Sequence, residues 1–88
     1  MNNNEYLFCR ICGYKSIDPP WGDDSRTPLY DYCLCCGVEH GYQDASLAGA
    51  KKYRAAWISA GAAWECHNIK PAHWNLEEQL KHVPMAYR

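Results

Sequence analysis

The sequence has no long apolar run. Nothing in its 88 residues approaches the roughly 20 consecutive apolar residues that a membrane-spanning helix needs. Its opening, MNNNEYLF, carries neither the positive charge nor the apolar stretch of a secretory signal. The expectation is a cytoplasmic protein. A basic excess is missing as well: nine Lys and Arg stand against ten Asp and Glu, a net charge of −1. That removes the electrostatic signature of a nucleic-acid binder. The chain also lacks a phosphate-cradling glycine loop, an H-E-x-x-H pair and a nucleophile elbow. Its acids are not paired by any spacing that marks a general acid/base couple. An enzyme is therefore not expected. Finally, a single domain of this size (residues 1–88) buries only about 60% of its unfolded surface, so it needs a staple beyond its core.

Cysteine is what the chain has in excess, with six in 88 residues. Two stretches align: CRICGY, Cys9 to Tyr14, and CLCCGV, Cys33 to Val38. Both read C-x-x-C-G, and the spacing between the pairs is that of a tetrathiolate metal site. Two intervening residues let a tight turn bring both sulfurs to one side, and a glycine then allows the left-handed exit. Backbone N–H groups of such a turn can point at the sulfurs. The shared glycines, Gly13 and Gly37, select Cys9, Cys12, Cys33 and Cys36 as ligands and leave Cys35 as a filler. A reducing compartment disfavours two disulfides, and no βαβ pattern supports a redox C-x-x-C. Cys66 reads as spare, and a second site from Cys66, His67 and His73 has poor spacing. Zinc is the default ion, with iron as the alternative, because four thiolates leave no open position for chemistry. Four thiolates and a dication would take the chain from −1 to about −3.

The chain divides by pattern into a metal-binding part, 5–44, and a helical part, 45–88. In KSIDPPWGDDSRTPLYDY the prolines exclude helix, and Gly22-Asp23-Asp24 reads as a turn. EYLFC and TPLYDYC read as short strands that lead into the two turns and pair with each other. Trp21 either caps the metal turns or serves as an exposed aromatic anchor. From Asp44 or Ser46, as N-cap, a helical period begins. Leu47, Ala50, Tyr53, Trp57 and Ala60 share one face, and Gly61 is the stop. Arg54, at the edge of that face, could reach an acid of the first half. A second helix starts at Asn75, with Glu78 completing a capping box; Leu76, Leu80 and Val83 form its apolar stripe, and Pro84 follows. His67 and His73 read as surface or packing residues.

Two resemblances follow from these motifs. C-x-x-C-G-Y, Asp18-Pro19, Gly22-Asp23, Thr27-Pro28 and C-x-x-C-G-V resemble rubredoxin, whose iron centre carries one electron. The loop here is shorter than in that family, which also lacks a helical half. Across nearly the whole chain, CRICGY, PPWG, TPLYDYCLCCGVEHGYQDAS, the Tyr-Arg-x-x-Trp helix and LEEQL resemble a family of small bacterial cysteine-rich proteins of CPCC type. That resemblance implies a small α+β domain: a rubredoxin-like zinc ribbon, with two knuckles on short β-hairpins, followed by two α-helices. Some members of that family sit beside polymorphic or contact-dependent toxin genes, as immunity proteins do. The implied function is a zinc-stabilised protein-binding module that neutralises a toxin domain. Residues 1–48 hold seven acids and three bases, and residues 49–88 hold three acids and six bases. The acidic first half would steer a basic partner. Trp21, Asp23, Asp24, Asp31, Glu39, Tyr42 and Asp44 are the expected contact surface. A nucleic-acid-binding zinc ribbon, built on Lys51, Lys52 and Arg54, is disfavoured by the net charge.

Overall fold

The computed structural model describes residues 5–88. One turn is used twice. Cys9 N–H donates to Tyr14 O at 2.9 Å and Gly13 N–H to Cys9 O at 3.0 Å; Cys33 N–H donates to Val38 O at 2.9 Å and Gly37 N–H to Cys33 O at 3.0 Å. The flanking residues repeat too, with Ser16 N–H on Leu7 O at 2.8 Å and His40 N–H on Asp31 O at 2.9 Å. Gly13 (φ +82°) and Gly37 (φ +79°) take the left-handed exit that each turn requires.

The expected β-hairpins do not form. Among the described residues there is no strand, only two antiparallel bridges, Phe8 with Lys15 and Tyr32 with Glu39. The arms are too short to extend the ladder. A 3₁₀ turn, Glu5–Leu7, precedes the first, and Tyr30, at φ +58°, breaks the extended path into the second. No backbone hydrogen bond joins one turn to the other among the described residues. Between them the proline-rich segment is irregular, tightened by Asp24, whose carboxylate accepts from Arg26 N–H, Thr27 N–H and Thr27 Oγ1 at 2.9–3.1 Å.

The two expected helices are present. Helix α1, Leu47–Ser59, is capped by Ser46, whose hydroxyl accepts from Gly49 N–H at 3.0 Å. It ends in a Schellman motif: Gly61 N–H reaches Ile58 O at 3.0 Å and Ala62 N–H reaches Trp57 O at 2.8 Å. Its buried stripe is narrower than the sequence implied. Ala50 and Trp57 are buried and Tyr53 and Arg54 half-buried, whereas Leu47 and Ala60 are exposed. Helix α2, Leu76–Leu80, starts on Asn75, whose Oδ1 accepts from Glu78 N–H at 2.9 Å. The Glu78 carboxylate pairs with Lys81 at 3.1 Å.

The core is the cysteine cluster with Ile11, Val38, Ala50, Trp57, Ala62 and Trp64 around it. One edge-to-face aromatic contact links the halves, Tyr14 with Trp64 at 5.7 Å, and two more tie the helical half together, Trp64 with Trp74 at 5.6 Å and Trp57 with Trp74 at 6.4 Å.

A Cβ at Gly13 would lie 2.2 Å from Gln79 O, whereas one at Gly61 (φ +108°) would meet nothing within 4 Å. Gly61→Ala should therefore cost about 1 kcal/mol, the left-handed strain alone. Gly13→Ala should cost at least about 3 kcal/mol, because backbone must move as well. Urea unfolding of the two metal-loaded variants measures the difference.

Candidate metal centre

Each C-x-x-C turn points its sulfurs inward and its amides at them. Ile11 N–H lies 3.3 Å from Cys9 Sγ and Cys35 N–H 3.4 Å from Cys33 Sγ, the same contact in both turns. The two turns face each other. Cys9 Sγ is 3.8 Å from Cys36 Sγ and Cys12 Sγ is 3.6 Å from Cys33 Sγ. All four sulfurs lie within 4.8 Å of one another, and all four residues are buried. A tetrahedral ion with 2.3 Å bonds to sulfur needs S–S edges of about 3.8 Å. The four side chains can therefore hold one metal ion with little movement. None of the six cysteines is in a disulfide.

A turn whose amides face inward sends its carbonyls outward, and the helical half receives all of them. In the first turn, Arg54 Nη2 donates to Arg10 O at 2.9 Å, Arg54 Nε to Ile11 O at 2.7 Å and Gln79 Nε2 to Cys12 O at 3.1 Å. In the second, Cys66 N–H donates to Leu34 O at 2.9 Å, Glu65 N–H to Cys35 O at 2.8 Å and Tyr53 Oη to Cys36 O at 3.0 Å. Arg54 therefore serves backbone oxygens, not the acid expected of it, and also bonds Tyr87 O. Six matched carbonyls, six donors from 45–88: the second part of the chain is an outer shell of the metal site.

The crowded thiols shift one another's ionisation. Burial, the largest effect, and hydrogen bonding to neighbouring sulfurs push Cys12 up. Burial likewise raises Cys36. Hydrogen bonds from Cys12, Cys36 and Cys9 hold Cys33 down. A bound dication would let the partners of Cys33 ionise too. Cys35 lies outside the four-sulfur group; its buried sulfur accepts from Gln79 Nε2 at 3.3 Å.

Behind Cys33 sits a buried polar hub that the sequence reading missed. Asp44, 0% exposed, accepts from Trp21 Nε1 at 2.9 Å, from Gly41 N–H at 2.8 Å and pairs with His40 Nδ1 at 2.8 Å. Burial alone would lower the His40 imidazolium, but Asp44 and the Cys33 sulfur outweigh it and push it up to about 10. Burial alone would raise Asp44, but His40, Trp21 and Gly41 together hold it below the usual carboxylate range. Arg10 packs between the rings of Trp21 (3.9 Å) and Tyr87 (4.2 Å) and donates to Ser25 O at 3.0 Å and Asp44 O at 3.3 Å.

The expected contact residues are thus split. Asp44 is internal and unavailable to a partner, and Trp21 is a half-buried member of the same hub rather than an exposed anchor. Asp23, Asp24, Asp31 and Tyr42 are exposed, and Glu39 is half-buried. Cys66 Sγ donates to Asn68 Oδ1 at 3.7 Å; His67 and His73 are exposed, and among the described residues none of the three joins a ligand cluster. Gln79 gave no sequence signal, because a glutamine in a short helix reads as solvated. Tyr53 was visible only as an apolar body, although its hydroxyl does the work.

Two Bacillus subtilis proteins are similar to this chain. The uncharacterized protein YozI is 35% identical over 69 residues, which cover 60% of this chain and 57% of YozI. The uncharacterized protein YoaQ is 34% identical over 68 residues, covering 60% and 58%. The chain thus spans less than three fifths of the length of the curated relatives it matches. No protein-family model and no solved structure matches it.

Two measurements test this centre. Cys36→Ser should lose the metal and unfold, whereas Cys35→Ser should keep one ion per chain; metal analysis of both purified variants decides. The hub sets a pH dependence. Asp44, held low, contributes stability that is present above about pH 3.9 and lost as pH falls through its depressed value. His40, held high, contributes stability that is complete below about pH 6.5. That contribution drains as pH rises through about 10. The Asp44 contact persists whether or not the sulfurs hold an ion, so the chain should lose stability as pH rises above about 7. Asp44→Asn should start about 3 kcal/mol lower at pH 6 and show a flatter alkaline limb. Denaturant midpoints against pH check both.

Proposed function

We propose that this chain is a zinc-stabilised, non-catalytic protein-binding module of the bacterial cytoplasm, and that its partner is a toxin domain that it neutralises as an immunity protein. Closure of the metal site carries the first half of this reading. Four buried sulfurs fill every position of a tetrahedral ion, and the outward carbonyls of both turns are already bonded. A zinc held this way contributes folding free energy and offers no position to a substrate. Function then lies on the surface that the metal organises. No described helix is long and apolar enough to cross a membrane. The toxin half of the reading rests on the motif resemblance, with support from exposed acids at Asp23, Asp24 and Asp31, which would speed encounter with a cationic domain.

A rubredoxin-like iron carrier is the second reading. The paired N–H···S contacts favour it, since such contacts are among the levers that set an iron–sulfur potential. A nucleic-acid-binding ribbon has less support, because the chain carries a net charge of −1.

Co-expression with the neighbouring toxin gene tests the leading reading. The expected outcome is co-purification and rescue of growth, from a colourless protein with one zinc per chain. Absence of both co-purification and rescue removes the toxin partner. A red protein with a reversible one-electron couple replaces zinc with iron and the module with a carrier.

A further inference from the structure

One face of the second metal turn is left apolar and open. Tyr32 and Leu34, on either side of Cys33, are both exposed, and with Leu29 and Ile17 they line a cavity of about 230 Å³. Ile17, at 95% exposure, has almost no contact with the rest of the chain. Side chains of this kind scattered singly mean little; gathered around one cavity they mark an interaction site. Beside them Tyr30 is 64% exposed and held at φ +58°. A bulky side chain in that region stores strain, and strain of this kind collects at functional surfaces. The charge at the cavity has one sign among its Asp, Glu, Lys and Arg side chains: Asp18 and Asp31 line it and no Lys or Arg does. Neither acid has an ion-pair partner among the described residues. The larger groove over Trp64 and Trp74 differs, since Lys15, Glu78, His73 and His82 give it no net preference.

We propose that the face around Ile17, Leu29, Tyr32 and Leu34 is a docking surface, and that its occupant is a cationic protein segment with one apolar side chain seated in the cavity. The inference rests on the protein-binding reading and adds to it the surface and the chemistry of the partner. The apolar side chain would supply the anchor, and Asp18 and Asp31 would pair with Lys or Arg flanking it. His40, which also lines the cavity, is engaged by Asp44 and is not needed as a contact.

Fluorescence anisotropy with the metal-loaded full chain tests this. Three labelled peptides of equal length serve as probes: a lysine-rich peptide with a central leucine, the same peptide with serine for leucine, and a glutamate-rich peptide with the leucine kept. Only the first should bind, and more weakly as salt rises. Ile17→Asp and Leu34→Asp should each weaken it at least about tenfold, and Asp18→Lys with Asp31→Lys should weaken it similarly. Ile58→Asp, on the outer face of α1, should change nothing. If Leu34→Asp disturbs the metal turn, Ile17→Asp carries the test, because Ile17 lies outside both turns. Equal binding of the glutamate-rich peptide, no binding of the first, or undiminished binding by Ile17→Asp overturns the proposal. A dimer in sedimentation that Ile17→Asp dissolves also overturns it, by making a second copy the occupant. If the toxin domain co-purifies equally with Ile17→Asp, the binding module stands and this face falls. If the leucine peptide binds here while no toxin domain co-purifies, this face stands and the toxin partner falls.

Discussion

A turn that gathers two thiolates spends its amides on the sulfurs and has to leave its carbonyls facing out. In a ladder of strands those oxygens would be shared with neighbouring backbone. Here the arms close with one bridge each, so the oxygens need other donors. Arg54, Gln79 and Tyr53 supply side chains, and Glu65 and Cys66 supply amides. This one constraint explains why the four-cysteine site, residues 9–36, is followed by a helical half, and why that half packs where it does. Helix α1 is held by an arginine over one turn and a tyrosine over the other. Helix α2, only five residues long, is far below the length at which a helix is stable alone. Gln79 fixes it instead, through Cys12 O, the Cys35 sulfur and the indole of Trp74 at 2.8 Å.

The readable parts of the sequence were those that depend on local chemistry. The C-x-x-C-G repeat fixed the register of both turns because glycine's left-handed freedom is needed at one place only. Ser46 and Asn75 were legible as caps, and Gly61 as a stop, for the same reason. What stayed hidden depends on long-range company. Asp44 looked like a surface acid or a cap. It is buried because Trp21 comes from a distant loop to join His40 and Gly41 around it. Arg54 was read by charge, as able to reach an acid of the first half; its place over a carbonyl-bearing turn gave it backbone oxygens instead. The strands failed because nothing in EYLFC or TPLYDYC shows the 3₁₀ turn at Glu5–Leu7 or the positive φ of Tyr30, which end the two arms before a ladder can grow.

The filler cysteine shows how far residue type alone can mislead. Cys35 sits between two ligands and is as buried as they are. Its counterpart in the first turn is Ile11, also fully buried. The position therefore asks for a small or medium apolar side chain, and a thiol meets that demand. Gln79 then uses the sulfur as an acceptor. Cys35 is thus a packing residue with a polar edge.

The same logic ties the metal to the outer surface. Tyr32 and Leu34 flank Cys33 directly, so their side chains point outward because the sulfur between them points in. Asp31 is held by the His40 amide at 2.9 Å, in the arm of the same turn. The exposed apolar face is thus the back of the second metal turn. Its shape depends on the closure of that turn, whose Cys33, Cys35, Cys36 and Val38 are part of the core. Regular structure adds little support: there is no sheet among the described residues, one helix of thirteen residues and one of five. Cys33 and the side chains that flank it therefore belong to one turn, so an ion held by the four sulfurs would also fix the face outside it.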